Sequence, residues 1–241
     1  MKRREFINNA AALGMVAAAA SLPEVLGNSL TLDNQPAKAE VPAKLTPPST
    51  GKIPVAFTIS EGVTVIDFCG PWEVFQDVVS PRGDSAFDLF TVSEKTEPLV
   101  GSAGLKLVPD YTFENAPAPK VVVIPAQMGS KELHAWLRKV TPATDVTMSV
   151  CTGAFQLAKA GLLSGKSATT HHEFLDRLEK TYPDITVKRG LRFVEGERIS
   201  TAGGLTSGID LALRVVDRYF GRSIAEKTAF YMEYQSKGWI V

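Results

Sequence analysis

The run PKVVVIP at residues 119–125 is almost wholly β-branched, and it restricts the fold more than any other stretch of the chain. Apolar residues without polar alternation belong to a strand covered on both faces, as in the interior of a parallel sheet. Parallel strands cannot be joined by tight hairpins, so crossover helices must lie between them. The chain supplies them. IPVAFTI (53–59) reads as a buried strand, VTVID (63–67) as a short one, and GPWEVFQDVV (70–79) as a helix with Pro71 in its first turn. FDLFTVS (87–93) and LKLVP (105–109) read as strands, KELHAWLRKV (131–140) as a helix, TDVTMSV (144–150) as a strand and GAFQLAKAGLL (153–163) as a helix. A helix over 171–183 follows, then short strands in ITVKRG, LRFVEG and ERISTAG, then helices over 207–221 and 223–235. The alternation predicts an α/β fold: a single-domain, doubly wound, mostly parallel sheet flanked by helices.

The domain is expected at residues 53–241. Before it, MKRREFINNAAALGMVAAAASLP has a basic start, an alanine-rich apolar run and small residues suited to cleavage, so residues 1–27 read as a signal segment. Arg3-Arg4-Glu5-Phe6-Ile7 resembles the twin-arginine export signal, which implies a periplasmic or otherwise exported protein that folds before it crosses the membrane. Residues 28–52, rich in Pro, Ala, Thr and Ser, show neither apolar period and read as a linker. No stable membrane insertion is expected after signal cleavage.

Charge narrows the partners. The 26 basic and 26 acidic side chains balance, so nothing argues for nucleic acid or an anionic surface, and a small-molecule substrate is expected. Two cysteines, Cys69 and Cys151, are too few for a disulfide framework in a domain of this size. Neither they nor the three histidines have zinc-site spacing, so neither a metal nor another cofactor is expected.

Cys151 stands where the strand 144–150 gives way to a helix. In a doubly wound sheet, chemistry gathers at such carboxyl ends. A tight strand-to-helix turn lifts one side chain above the free N–H groups of the helix start, and the positive helix end favours thiolate, which predicts a pKa well below the free value of about 8.5. Gly153 permits close backbone approach, and Thr152 offers an N–H and a hydroxyl. Cys151 is therefore a candidate nucleophile; the other reading is a small core residue. Asp67, at the end of the strand pattern 63–67, comes to the same sheet edge, either as a functional carboxylate or as a helix cap.

Ser149-Val150-Cys151-Thr152-Gly153-Ala154, continuing through Ala160-Gly161-Leu162-Leu163-Ser164-Gly165-Lys166 to Ala168-Thr169-Thr170-His171, resembles the nucleophile elbow of the PfpI/ThiJ superfamily. The similarity takes in Gly62-Val63-Thr64 through Asp67-Phe68-Cys69-Gly70-Pro71, the strand Val121–Pro125, and Thr201-Ala202-Gly203-Gly204 through Ser207-Gly208-Ile209-Asp210. It implies a flavodoxin-like fold of the class I glutamine amidotransferase type. Within that superfamily the chain is most similar to isonitrile hydratases and to the sensor domains of AraC-type regulators. The resemblance implies Cys151 as nucleophile, Asp67 as the acidic residue facing it, and Thr152 as a residue that helps hold substrate and water. It also implies a homodimer.

Four accessory positions follow. His171 matches a histidine near the cysteine of several relatives, and at a loop-to-helix junction it serves equally well as a cap. Relatives commonly carry Gly-Gly after the strand 121–125, whose N–H groups form an oxyanion site; here Ala126 and Gln127 stand there, and Gln127 is able to offer its amide instead. Gly204, with Gly203, suits close backbone approach. Cys69 stands where isonitrile hydratases often carry Thr, as a half-buried small residue or as a redox partner of Cys151. The expected activity is isonitrile hydration. Its alternatives are glyoxalase-like attack on small 2-oxoaldehydes, which would raise the importance of His171, and a non-catalytic ligand-binding or redox-sensing protein of the same fold. AraC-type relatives add a helix-turn-helix domain, whereas this chain ends at Val241 soon after its last predicted helix, so DNA binding is not expected.

Overall fold

In the computed structural model, which describes residues 42–241, the apolar runs become strands and the amphipathic stretches become crossovers. The expected signal segment, residues 1–27, and most of the expected linker lie outside the described residues. In chain order the elements are β1 (Ile53–Thr58), α1 (Val65–Gln76), β2 (Phe87–Ser93), β3 (Leu99–Val100), β4 (Lys106–Leu107), β5 (Tyr111–Thr112), β6 (Val121–Ile124), α2 (Lys131–Val140) and β7 (Val146–Ser149). There follow α3 (Ala154–Lys159), β8 (Ser167–Ala168), α4 (Leu175–Thr181), β9 (Thr186–Val187), β10 (Phe193–Val194), β11 (Ile199–Ala202), α5 (Ser207–Phe220) and α6 (Arg222–Tyr231).

Seven strands form one sheet in the order β10-β11-β7-β6-β1-β2-β5. All neighbours are parallel except β10, which runs antiparallel to β11. Val55, Val121 and Val146 lie in one register row. The period of two then sorts side chains by face. Val55, Phe57, Val121, Val123, Val146 and Met148 meet Phe75 of α1, Leu211 and Val215 of α5 and Ala225 of α6. Ala56, Val122 and Ile124 meet Leu133 and Leu137 of α2, Leu157 of α3 and Leu178 of α4. Both faces of β6 are thus dry, which is why its sequence needs no polar alternation.

Helix α2 coincides with its predicted span because Ser130 caps it, its hydroxyl accepting the Leu133 N–H at 3.1 Å. Helix α1 differs from its prediction. VTVID is not a strand: the chain reverses at Gly62, φ +70°, and α1 begins at Val65, which places Pro71 inside the helix. Three alternating residues are too few to separate a strand from a first helical turn, and tertiary partners decide. The Val65 N–H is held by Ser102 Oγ and the Asp67 N–H by the Thr64 carbonyl. The predicted helix 171–183 is a 3-10 turn over His172–Phe174 followed by the shorter α4. LKLVP contributes only the two residues of β4, which pairs with β3 outside the main sheet.

Helix α5 is buried from Ser207 to Tyr219 and crosses the first of the two sheet faces, its far end reaching Asp145, just before β7, through the Tyr219 hydroxyl. Its charged residues are paired: Arg214 with Glu195 and Asp217, and Arg222 of α6 with Asp217. Arg218 Nε–H donates to the Ala43 carbonyl, and the Arg218 carbonyl accepts the Leu45 N–H at 2.8 Å. Arg82 donates to the Gly51 carbonyl at 2.9 Å. The last residues before β1 are therefore fastened to the domain. Trp239, 1% exposed, closes the core at the chain end, with the Arg222 guanidinium 5.1 Å over its ring.

Candidate active site

Strand β7 ends at Ser149, Val150 is still extended, and Cys151 then takes φ +58° before a single 3-10 turn over Cys151–Gly153 leads into α3. A left-handed φ at a residue with a Cβ costs about 1–2 kcal/mol and persists only where neighbours enforce it. Here they do. The Cys151 N–H donates to the Gly203 carbonyl at 2.8 Å, Thr170 Oγ1–H donates to the Cys151 carbonyl at 2.8 Å, and the Gly153 N–H donates to the Val150 carbonyl at 2.9 Å. Gly153 is required by space: a Cβ there would lie 2.1 Å from the Ile124 carbonyl oxygen.

Asp67 is the third residue of α1 and is fully buried. The Ala126 N–H donates to its Oδ2 at 3.1 Å, and the Thr64 N–H donates to the Ala126 carbonyl at 2.8 Å, so the start of α1 is laced to the turn after β6. Oδ1 is buried without a hydrogen bond of ordinary geometry, while the Cys151 thiol and the Leu205 N–H approach the same carboxyl. Burial raises the pKa of Asp67 from its ordinary 3.8 to about 6, against the lowering pull of the Ala126 N–H, the thiol and the Leu205 N–H.

The thiol differs from its sequence prediction. Burial, then the adjacent Asp67 charge, push Cys151 up to about 11, although the N–H groups of Thr152 and Leu205 pull the other way. The expected depression fails for a physical reason. The helix behind the cysteine is only six residues long and is preceded by a 3-10 turn, so its dipole is weak beside a buried carboxylate. The resting pair is a thiol beside a carboxyl group that titrates near neutrality.

The sheet edge brings together Asp67, Cys151 and the Thr152 N–H, and it sends the accessory residues elsewhere. The Ala126 N–H is committed to Asp67 and is not an oxyanion donor. Gln127 turns back onto β1, its Nε2–H₂ donating to Thr58 Oγ1 at 2.7 Å, while its backbone carbonyl accepts Gln156 Nε2–H₂ at 3.0 Å. His171 caps the next turn: its Nδ1 accepts the Glu173 N–H at 3.3 Å, its ring stacks 4.4 Å from that of His172, and a Cβ on Gly204 would collide with it. Among the described residues it makes no hydrogen bond to Cys151. Cys69 and Cys151 are both free thiols. Two residues on from Asp67, Cys69 lies about 200° around the helix and leaves on another face.

Leu205 was not legible as a site residue. It has φ +53°, its N–H approaches both the Asp67 carboxyl and the Cys151 thiol, and its side chain is exposed. The only sequence signal was the preceding Gly203-Gly204, since an apolar residue carries no chemistry of its own. Among the described residues no three His, Cys, Asp or Glu side chains cluster as metal ligands.

Residues 54–218 match the DJ-1/PfpI family. The chain belongs to that family. The isonitrile hydratase of Pseudomonas putida is 31% identical over 75% of this chain and 78% of its own length. The transcriptional regulator GbdR of Pseudomonas aeruginosa is 26% identical over 71% of the chain, which covers only 48% of that regulator. Among solved structures, a THiJ/PfpI family protein from Pseudomonas syringae superposes with a TM-score of 0.69 at 25% identity, covering 89% of this chain and 84% of that one. Proteins similar to this chain thus include an enzyme and a regulator of transcription, so the likeness alone does not fix the activity.

Proposed function

We propose that the protein is an exported enzyme that adds water to isonitriles through Cys151, releasing N-substituted formamides. The observation that carries this reading is the buried Asp67 carboxyl, poised near pH 6 beside the Cys151 thiol. A thiol of high pKa needs a base, and a base serves best when its pKa lies near the working pH. Ionised Asp67 takes the thiol proton as sulfur attacks the terminal carbon of the isonitrile. The same proton then passes from Asp67 to that carbon, which leaves a thioimidate. Asp67, ionised again, takes a proton from water as its oxygen adds to the thioimidate carbon, and passes that proton to the nitrogen. It then takes the proton of the new hydroxyl as the carbon–oxygen double bond forms and the carbon–sulfur bond breaks, and gives that proton to the departing sulfur. One water enters and one formamide departs, with no cofactor in the scheme. The Thr152 and Leu205 N–H groups stabilise the sulfur whenever it carries charge.

The 31% identity to an isonitrile hydratase supports the same chemistry. Attack on a 2-oxoaldehyde would call on His171 as proton shuttle, and its engagement with Glu173 weighs against that. Export rests on Arg3-Arg4 and the apolar run after them. A homodimer, a small-molecule substrate and no nucleic acid complete the proposal.

Formamide production from a simple alkyl isonitrile tests the chemistry. Cys151→Ala is expected to abolish turnover, and Asp67→Asn to lower kcat by about 10²–10⁴-fold, the range for a general acid–base group. Full turnover by Cys151→Ala would sink the scheme. Cell fractionation tests export: an Arg3→Lys, Arg4→Lys variant found outside the cytoplasm as readily as the parent removes the twin-arginine route.

A further inference from the structure

Beside the Asp67–Cys151 pair lies a cleft of about 360 Å³, within the range of small-ligand sites. Its walls are the segments that hold Cys151 in place. Thr170, which donates to the Cys151 carbonyl, Gly203, whose carbonyl accepts the Cys151 N–H, and Leu205 all line it. A ligand filling the cleft therefore sits against the backbone frame of the nucleophile.

The lining is mixed, with Leu175 and Leu191 among its polar groups. It contains Thr170, His171, His172, Arg192 and Thr206, with no Asp or Glu. Arg192 is its only permanent charge. The guanidinium is held from behind: Nε–H and Nη2–H₂ serve the fully buried Asp210, and Nη2 also reaches Thr206 Oγ1 at 3.1 Å and the Tyr234 hydroxyl at 3.4 Å. Nη1 makes no hydrogen bond among the described residues, and the side chain is 40% exposed. His171 adds a second polar group: Nδ1 accepts the Glu173 N–H, and Nε2 lies on the side packed against Gly204. A fixed guanidinium arm with an imidazole in the same cleft suits a carboxylate.

We propose that this cleft receives the substituent on the substrate nitrogen and that Arg192 Nη1 binds a carboxylate on it, so that the preferred substrates are isocyano acids, the isonitrile counterparts of amino acids. The assignment deepens the isonitrile hydratase reading and rests on it for the identity of the reacting group. The cleft itself can be read without turnover.

The probes are N-formylalanine, the formamide corresponding to an isocyano acid, and its methyl ester. Each is titrated for protection of Cys151 from iodoacetamide, with Cys69→Ser as the background so that one thiol reports. The acid is expected to protect at concentrations at least about tenfold lower than the ester, the scale of one charge-assisted hydrogen bond. Arg192→Gln should erase the difference. That variant strands the buried Asp210, so Leu191→Glu provides a second test: Leu191 is exposed on the cleft wall, and a carboxylate there repels the acid without touching the Arg192–Asp210 pair. It should lower the acid-to-ester preference by about tenfold. Equal protection by acid and ester in the parent, or an unchanged preference in Leu191→Glu, overturns the assignment. A protein that hydrates isonitriles yet protects equally with both probes loses the cleft and keeps the hydratase reading; one inert to isonitriles but selectively protected by the acid keeps the cleft and loses the hydratase.

Discussion

Replacing Asp67 with Asn should make the protein more stable at neutral pH while removing the base of the proposed mechanism. Folding raises the pKa of this carboxyl from 3.8 to about 6, because burial penalises the charged form. Between those values the folded state holds a proton that the unfolded chain has released. Asp67 is thus least costly to the fold below pH 3.8, and its cost grows as pH rises through about 6. A rise of that size corresponds to about 3 kcal/mol in full, of which about 2 kcal/mol develops between pH 4 and pH 8. Asn is nearly isosteric, cannot ionise, and keeps an oxygen to accept the Ala126 N–H. Urea unfolding of parent and Asp67→Asn across pH 4–8 measures the difference directly. The advantage of the Asn protein should grow by about 2 kcal/mol from the acid to the alkaline end. Parallel stability curves would show that Asp67 titrates alike in both states. An advantage that shrinks with rising pH would mean a depressed pKa, and the general-base argument would go with it.

Other perturbations follow from the same geometry. In Asp67→Asn, alkylation of Cys151 at pH 8 should be faster than in the parent, because the Asp67 charge helps hold the thiol pKa at about 11; slower labelling would show that the carboxylate assists ionisation at rest. Cys151→Gly should be more stable than Cys151→Ala by about 1 kcal/mol, since only glycine takes φ +58° without strain, and equal unfolding midpoints would deny that strain. Gly153→Ala forces a methyl to within 2.1 Å of the Ile124 carbonyl oxygen, and a loss of about 3 kcal/mol or more is expected; a melting temperature unchanged within a degree or two would mean that the elbow is not packed this tightly.

Much of the fold was legible because it depends on periodicity. The β-branched run of β6 and the capped amphipathic pattern of α2 each point to one element, and local preference agrees with tertiary demand. At α1 the two disagree. Val63-Thr64-Val65 favours a strand, and Pro71 would normally stand in a first turn, but the parallel pairing of β1 with β2 demands a crossover at that point. The buried helix forms despite the proline. No local pattern states that requirement, because it arises from a strand some twenty residues further along.

At the site, residue identity picked out the candidates: Cys151 on a strand-to-helix turn, Asp67 near the start of the first crossover, and Gly153 where the backbone closes in. Tertiary structure decided how they behave. Burial and the approach of Asp67 turned an expected thiolate into a thiol with a carboxyl group beside it. Backbone path turned Leu205 into a donor, committed the Ala126 N–H to Asp67 and sent Gln127 back onto β1. Ionisation depends on dielectric and on the distance between charges, and hydrogen bonding depends on where N–H groups point. Those quantities exist only once segments far apart in the chain have been packed side by side, so a sequence can name the reactive groups while their proton inventory waits for the fold.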